Sequence, residues 1–576
     1  MTDRRSAKND PRGWMAALLF VTAAIYSRSL GNQFIFDDRR QILGNRYIGD
    51  WSFIWRSFVN DLWWFQDPAH LPHSPYYRPL HDLWLALNFH LFGFNPVGWH
   101  AALIPLHLLM VWLVYAVSAR LAGNRWTGLA AAAIFALTPI DAEVVAWPAA
   151  VATLLSAVFE LAAFAAYLKP SNRRQIWPLA LFGCALLSYE CAAVFPALVA
   201  AHAFLFPEFA DLTPCPPSPS GKGERKVESS PLSLAGRVRG GVYLRARAAF
   251  AAALPYALVL AAYLGVRYLV LGFVLGPGRG IAAIGTALTI PGALVTYAEL
   301  LAMPWRAGPM HPLAIVRSAA NAGFYIPALE IAALASAAFL ALRNHPHRRL
   351  YLFCAAWFAI ALAPVLDVGR LMAGRFIQDR YLYLPSVGCY LIVADLAIGL
   401  ARRTEWRRKI VAAGAFAIVA GLALSLFSVQ HFWHDEAAAS MRCIAEAPGL
   451  EACHSRFGAA LMERGEYAQA RDQFRTALAI APGNGIDLFD LGLADDRLGA
   501  RRAAVREMAD GLAQISNPPA RSYARLALAA DAIGDSKTAD AALARAESLP
   551  GGAEIAAAAR AQIRARHDAR ERREPP

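Results

Sequence analysis

Residues 14–38 read WMAALLFVTAAIYSRSLGNQFIFDD, an apolar stretch that ends in the adjacent acids Asp37 and Asp38. Over the whole chain of 576 residues, 57% are apolar and 17% are charged, and the mean hydropathy is +0.34. A soluble domain carries roughly a quarter charged residues. Because lipid tolerates no unpaired backbone groups, an apolar stretch of about 20 residues predicts a membrane-spanning helix.

The hydropathy pattern predicts an all-α transmembrane helical bundle in residues 1–432, followed by a helical-repeat domain in residues 433–576. Two apolar pieces, 81–93 and 286–303, are expected to be re-entrant, interfacial or buried in the bundle. Eleven spans are predicted, near 14–29, 97–119, 126–140, 147–168, 176–189, 190–207, 246–270, 322–342, 349–365, 385–401 and 408–428.

Basic residues set the predicted orientation, because Lys and Arg in short loops favour the cytoplasm. The N-terminal segment and several later loops are basic, whereas residues 31–80 hold five Arg and five Asp. We therefore expect the N-terminus inside, this loop outside and, after eleven spans, the tail outside. Residues 211–243, rich in Pro, Gly and Ser, are predicted to be a disordered cytoplasmic insertion. The net charge of +13 is explained by basic loops beside anionic lipid, without any nucleic acid.

The tail repeats a pattern of small and aromatic residues with a period of about 34 residues, which is typical of tetratricopeptide (TPR) repeats. The first copy contains Gly458 and Phe474, and weaker copies follow from Leu491-Gly492 onward. Cys443 and Cys453 come just before the first copy. An oxidising outside location would permit a disulfide between them, but their spacing alone leaves this pairing open.

Ionisable residues recur in the predicted outside loops, where charged groups usually face a cavity or one another. Asp37 and Asp38 are candidates for a catalytic base, and the alternative is that they cap a helix. Adjacent side chains generally point in different directions, so at most one of the two is expected to be the base.

The guanidinium groups of Arg375 and Arg380 suit a lipid-linked phosphate, because guanidinium binds phosphate bidentately. Ion pairing with Asp367 or Asp379 is the alternative for these two arginines.

The order of these motifs resembles the transmembrane and TPR-repeat-containing proteins and their bacterial relatives, in the C-type glycosyltransferase (GT-C) superfamily with the protein O-mannosyltransferases. Three places depart from that pattern, Thr138, Tyr189 and Gln378-Asp379, where His, Lys and Ala-Glu are usual. The motifs that carry the resemblance are Phe36-Asp37-Asp38, Tyr77-Arg78-Pro79-Leu80, Pro139 to Glu143, Ser188 to Glu190 and Arg380 to Ser386, followed by the repeats.

The resemblance implies a multi-pass membrane glycosyltransferase of a bacterial inner membrane, with the tail in the periplasm. Such an enzyme moves a sugar, with inversion, from a polyprenyl-phosphate donor to a hydroxyl of a protein or glycan. The base is then Asp38 or Asp37, with Asp38 marginally favoured. Substrate binding is expected at Arg78, Glu143, Glu190, Arg375, Arg380 and Tyr381.

The expected partners are membrane lipid, the polyprenyl-phosphate sugar, the acceptor and a protein bound to the repeats. No cofactor is predicted with certainty, and a divalent metal stays open because no ligand spacing demands one. Two other functions are also open. One is a non-catalytic membrane scaffold that recruits partners through its repeats, and the other is a ligase or transporter for a lipid-linked glycan.

Overall fold

The structure, a computed structural model, describes residues 11–66, 74–169, 176–207, 234–276, 283–367 and 376–571. These residues form two compact units, Met1–Asp435 and Glu436–Pro576. Arg375 and residues 211–233 of the predicted insertion lie outside the described residues. The next helix begins at Leu234, inside the range that the sequence predicted to be irregular.

The first unit is built from α-helices, and the prediction of an all-α fold is confirmed. Within the described ranges, the exception is a pair of two-residue antiparallel strands, β1 (His311–Pro312) and β2 (Phe376–Ile377). The helices are α1 (Arg12–Tyr26), α2 (Ser52–Ser57), α3 (Pro79–Phe92), α4 (Pro96–Leu121), α5 (Arg125–Leu137), α6 (Ala142–Ala146), α7 (Val151–Tyr167), α8 (Ile176–Ser188), α9 (Phe195–Leu205), α10 (Leu234–Leu271), α11 (Ala283–Ala302), α12 (Ala322–Leu342), α13 (Arg348–Leu362), α14 (Ser386–Ala401) and α15 (Glu405–Val429).

Eight helices in the described part of the chain are long and apolar enough to cross a membrane. A ninth candidate is α5 with the segment Pro139–Ala146, which bends by 55° at Thr138-Pro139. Proline removes a backbone donor and disfavours helix at the preceding residue, which accounts for the break. Three more apolar helices, which include α8 and α14, are shorter than a full span. The protein is therefore a multi-pass membrane protein.

Hydrogen bonds between loops define two faces of the bundle. On one face, which we call the Asp37 face, the amide of Gln33 donates to the carbonyl of His434 at 2.8 Å. The ion pairs Arg78–Glu190 and Glu143–Arg380 also lie on this face. On the opposite face, which we call the basic face, the ends of α4, α9 and α12 pack against α13 and α14. Arg120, Arg343, Arg348 and Arg402 lie at helix ends on this basic face.

The connectivity shows that α11 does not link the two faces. Gly276 lies against Pro75 on the Asp37 face. The seven residues from Gly276 to Ala283 reach at most about 25 Å, less than the roughly 30 Å of a bilayer core. After α11 the chain is again on the Asp37 face, where the Gly308 amide donates to Asp379. Without α11, seven long helices and the bent pair remain as candidate spans in the described ranges, and the eleven predicted spans also need the three shorter helices.

Helix α3 also stays on the Asp37 face. It begins directly after Arg78, and its Leu85 packs with Phe34, Ile42 and Trp99. Its 14 residues span about 21 Å at 1.5 Å per residue, too short to cross a bilayer. This placement agrees with an interfacial or buried piece at 81–93.

The second unit is a stack of helical hairpins. Its helices are α16 (Glu436–Glu446), α17 (Glu451–Arg464), α18 (Tyr467–Ile480), α19 (Gly485–Arg497), α20 (Arg501–Gln514), α21 (Ala520–Ala532), α22 (Ser536–Glu547) and α23 (Gly552–Glu571). The first helix of each hairpin begins at Glu451, Gly485 or Ala520, which fits the period of about 34 residues. A disulfide between Cys443 and Cys453 joins α16 to α17, with the two Cα atoms 5.4 Å apart.

Each hairpin closes over a small residue. A Cβ atom added at Gly458 would lie 2.7 Å from the ring of Phe474, which is itself 1% exposed. The same relation recurs one repeat later, where Gly492 of α19 lies against Met508 of α20. Helices can approach this closely only where one of them has no side chain, so glycine at these positions sets the spacing within the first two hairpins.

We expect Gly458→Val to lower the stability of the tail by about 1–3 kcal/mol, because the added side chain must displace a buried ring. The measurement is the melting temperature of the purified protein, followed by protease resistance of the tail. Gly483→Val is the control, since a Cβ atom at Gly483 meets nothing within 4 Å. Equal melting temperatures for the two variants would contradict this account of the hairpin.

Candidate active site

Asp38 is a buried residue that connects the first loop to the segment just before α7. Its side chain is fully buried, and one carboxylate oxygen accepts from the Ile35 amide at 3.1 Å. The other oxygen accepts from the Ala149 amide at 2.7 Å. The π-helical turn Arg39–Leu43 begins directly after Asp38 without a side-chain cap. The carboxylate therefore joins two loops that are distant in sequence and does not cap the following turn.

Asp37 has a different environment from its neighbour. The residue is partly exposed, and it makes no side-chain hydrogen bond or ion pair with the residues that the structure describes. Its backbone carbonyl accepts the amides of Arg40 and Gln41, which fixes the position of the residue. Of the two acids, Asp37 is the one whose carboxylate is open to a substrate.

The backbone is strained one residue earlier, at Phe36. Its φ is +49°, and within the described ranges no other non-glycine residue has a positive φ. Residues other than glycine rarely adopt this left-handed backbone conformation. The backbone strain that it causes persists only where the surrounding structure enforces it. The Phe36 ring meets Trp147 and Trp433 edge to face, with ring centroids 5.5 and 6.3 Å apart. These aromatic contacts hold the turn that presents Asp37.

Arg380 pairs with Glu143, and not with the Asp367 or Asp379 that the sequence left as alternatives. The Glu143 carboxylate, whose side chain is fully buried, accepts from the Arg380 guanidinium and from its backbone amide, the latter at 2.9 Å. Asp379 instead accepts from the Gly308 amide and from His311 Nε2, both at 2.7 Å.

Arg78 forms the second ion pair of the site, with Glu190, and both side chains are largely buried. The two side chains make a bidentate contact, with nitrogen–oxygen distances of 2.8 and 2.7 Å. The rings of Tyr76 and Tyr189 lie 4.5 and 4.4 Å from the guanidinium carbon. Burial alone would lower the pKa of Arg78, but Glu190 more than offsets this, so its pKa lies above the ordinary value. Arg78 therefore stays charged.

Aromatic residues connect the two ion pairs into one site. The Arg380 guanidinium lies over the rings of Trp147 and Tyr381, at 5.0 and 5.3 Å. The Tyr381 phenol is close enough to Tyr76 and Cys191 to interact with them electrostatically. Burial raises the pKa of Tyr381, so its phenol stays protonated. Because Trp147 also contacts Phe36, the chain of contacts runs from the acids to both arginines.

Several residues of this site were missed by the sequence reasoning. Trp147, Tyr76 and Arg267 gave no signal, because each is a common residue type at a span end. Asp141 lay in a quoted motif but received no role. It is fully buried, and neither of its carboxylate oxygens has a hydrogen-bond partner among the described residues. In the same described ranges, no three His, Cys, Asp or Glu residues are placed to hold a metal ion.

Comparison with known proteins finds relatives along most of the chain. Human protein O-mannosyl-transferase TMTC1 is 25% identical over 529 residues, which cover 85% of this chain and 57% of that protein. Tmtc3 of Drosophila melanogaster is 24% identical over 83% of this chain and 56% of its own length. Tmtc2 of the same organism is 36% identical over 160 residues. The predicted resemblance is confirmed, and the chain spans little more than half the length of the relatives that it matches throughout.

No family model matches the chain. Among solved structures, ArnT from Cupriavidus metallidurans bound to undecaprenyl phosphate is 15% identical, with a TM-score of 0.35, and the match covers 87% of this chain and 80% of ArnT. The Archaeoglobus fulgidus oligosaccharyltransferase in the apo form is 14% identical, with a TM-score of 0.36, over 72% of this chain and 56% of that one. At these TM-scores the likeness carries no functional argument.

The contrast between the two acids predicts different effects on stability. Asp38→Asn should cost about 1–3 kcal/mol, because an amide offers one acceptor oxygen to two buried backbone donors. Asp37→Asn should change stability by no more than about 0.5 kcal/mol, since no contact is lost. The melting temperature of each variant, purified in lipid nanodiscs, is the measurement. Similar losses in both variants would show that the two acids do not differ in this way.

Proposed function

We propose that this protein is an integral membrane glycosyltransferase that moves a sugar from a polyprenyl-phosphate donor to a hydroxyl acceptor. The observation that carries the proposal is the partly exposed carboxylate of Asp37 on the same face as two largely buried arginines. Homology to protein O-mannosyl-transferases supports it and makes mannose the first sugar to test.

In the proposed reaction, the Asp37 carboxylate accepts the proton of the acceptor hydroxyl while that oxygen attacks the anomeric carbon. The new bond to the acceptor oxygen forms as the bond between the anomeric carbon and the phosphate oxygen breaks. The lipid phosphate leaves with the bonding electrons, and the sugar inverts. Because both oxygens of Asp38 are held by backbone amides, its role is to position the turn. This reverses the marginal preference for Asp38 as the base.

Positive charge must meet the leaving phosphate, where negative charge develops. Arg78 and Arg380 both lie on the Asp37 face, and each is stacked on aromatic rings that hold it in place. Arg375 keeps its proposed phosphate role from the sequence alone. Glu143 and Glu190 act through the arginines that they pair with, and Tyr381 lies between the two pairs.

We place the Asp37 face outside, in the periplasm of a bacterial inner membrane. The arginines at the opposite helix ends fit the cytoplasmic side. The chain enters the repeat domain at Asp435, directly after the His434 carbonyl that contacts Gln33 on the Asp37 face. The disulfide between Cys443 and Cys453 suits an oxidising compartment. The repeats then offer a surface for a protein partner on the same side as the chemistry.

We expect Asp37→Asn to reduce sugar transfer about a hundred- to ten-thousandfold, because the amide cannot accept the proton. The assay uses membranes containing the protein and a labelled polyprenyl-phosphate mannose, with product formation as the readout. Asp50→Asn is the matched control, since Asp50 is an exposed acid of the same loop that contacts Ser52. Near-normal transfer by both Asp37→Asn and Asp38→Asn would refute the mechanism and favour the scaffold function.

The orientation has its own test. A reporter that is active only outside the cytoplasm should be active when fused after Pro482 in the tail and inactive when fused after Arg403 on the basic face. The reason is that the proposed eleven passes put the tail on the side of the first loop and the basic face on the other side. The reverse pattern would place the Asp37 face in the cytoplasm and exclude a periplasmic acceptor.

A further inference from the structure

Arg267, near the end of α10, is a third arginine on the Asp37 face and belongs to neither ion pair. Its side chain is buried, with 6% of the residue exposed. Its Nε donates to the Val274 carbonyl at 2.9 Å, and its Nη2 donates to the Pro75 carbonyl at 2.5 Å. Both acceptors are uncharged. These bonds therefore fix the plane of the guanidinium without neutralising its charge.

The remaining nitrogen of this guanidinium has no acceptor. Arg267 Nη1 is buried and makes no hydrogen bond to any residue that the structure describes. The Tyr263 phenol lies beside the guanidinium and interacts with it, while donating its own proton to the Tyr77 carbonyl. Buried donors of charged groups are almost always satisfied, so an unsatisfied one indicates a missing partner.

The local charges are also out of balance. Arg78 and Arg267 share one carboxylate, Glu190, and Arg78 holds both of its oxygens. Arg267 interacts with Glu190 only through space. Glu160 accepts from Ser156 and makes no ion pair within the described ranges. Among the described residues, Arg78 and Arg267 therefore have one hydrogen-bonded carboxylate between them, and a buried charge without a direct partner is costly.

The opposite end of the site, near Asp141, is acidic. There Glu143 pairs with Arg380 and Asp379 with His311, while neither carboxylate oxygen of Asp141 has a hydrogen-bond partner among the described residues. The cationic end of the site lies near Arg267. An anionic group of a substrate is attracted to the cationic end.

We propose that Arg267, together with Arg78, forms a phosphate-binding subsite that takes the phosphate of the lipid-linked donor. This proposal rests on the proposed transferase function. The two backbone carbonyls hold the guanidinium plane ready, so that Nη1 donates to a phosphate oxygen without further ordering of the side chain. Arg380 then serves the acidic end of the site, and the leaving phosphate lies nearer to α10.

The test measures binding, so that it does not depend on sugar transfer. The full-length protein in nanodiscs is titrated with farnesyl phosphate, with farnesol and with inorganic phosphate. Arg267→Gln should weaken the binding of farnesyl phosphate about 10- to 100-fold, since it loses a charge-assisted hydrogen bond. Arg267→Lys should weaken it less. Arg317→Gln, at an exposed arginine of the same face, should bind as the wild type does.

The outcomes separate the proposals. Farnesyl phosphate bound equally well by wild type and Arg267→Gln overturns the subsite and leaves the transferase intact. If Arg267→Gln does not fold, Arg267→Lys decides, and unchanged affinity in that variant overturns the subsite. Arg267-dependent binding of inorganic phosphate, without any gain from the farnesyl chain, supports the anion subsite but refutes a lipid donor. A wild type that binds neither phosphate compound overturns the subsite even if sugar transfer is observed.

Discussion

Two largely buried guanidinium–carboxylate pairs hold the loops of the Asp37 face together. Arg78 and Glu190 are 112 residues apart in sequence, and Glu143 and Arg380 are 237 residues apart. Replacing a buried ion pair by apolar residues is often neutral for stability. Removing only one partner is strongly destabilising, because it leaves the other charge buried and unpaired. The pairs therefore constrain which loops meet. The short re-entrant and 3₁₀ segments between the helices take their positions from them.

The large-scale fold could be read from the sequence because its signals are local. Apolar stretches of span length and a repeat of about 34 residues each lie within a short window. The assignment of α11 was harder, since its 20 apolar residues are long enough to span. The charge pattern argued against a span there. The structural argument is the short connection from Gly276, which becomes visible only when Gly276 is seen beside Pro75.

The site was predictable as a set of residue types but not as a set of partners. The sequence selected Arg78, Glu190, Glu143 and Arg380 without indicating which acid meets which arginine, because each partner is far away in the chain. It also could not separate Asp37 from Asp38. What distinguishes them is the amide of Ala149, which arrives from a distant loop and occupies an oxygen of Asp38. Arg267 escaped notice because its significance lies in a hydrogen bond that it does not make.

The stacked hairpins of the second unit have an evolutionary consequence. In such a stack each hairpin contacts only its neighbours, so stability is close to a sum of local terms. The last helix, α23, packs on α21 and α22 and closes that end of the described stack. Duplicating or losing a hairpin between α17 and α22 would lengthen or shorten the tail while leaving the helices of the first unit unchanged. Natural selection can therefore adjust the length of the tail in steps of one hairpin.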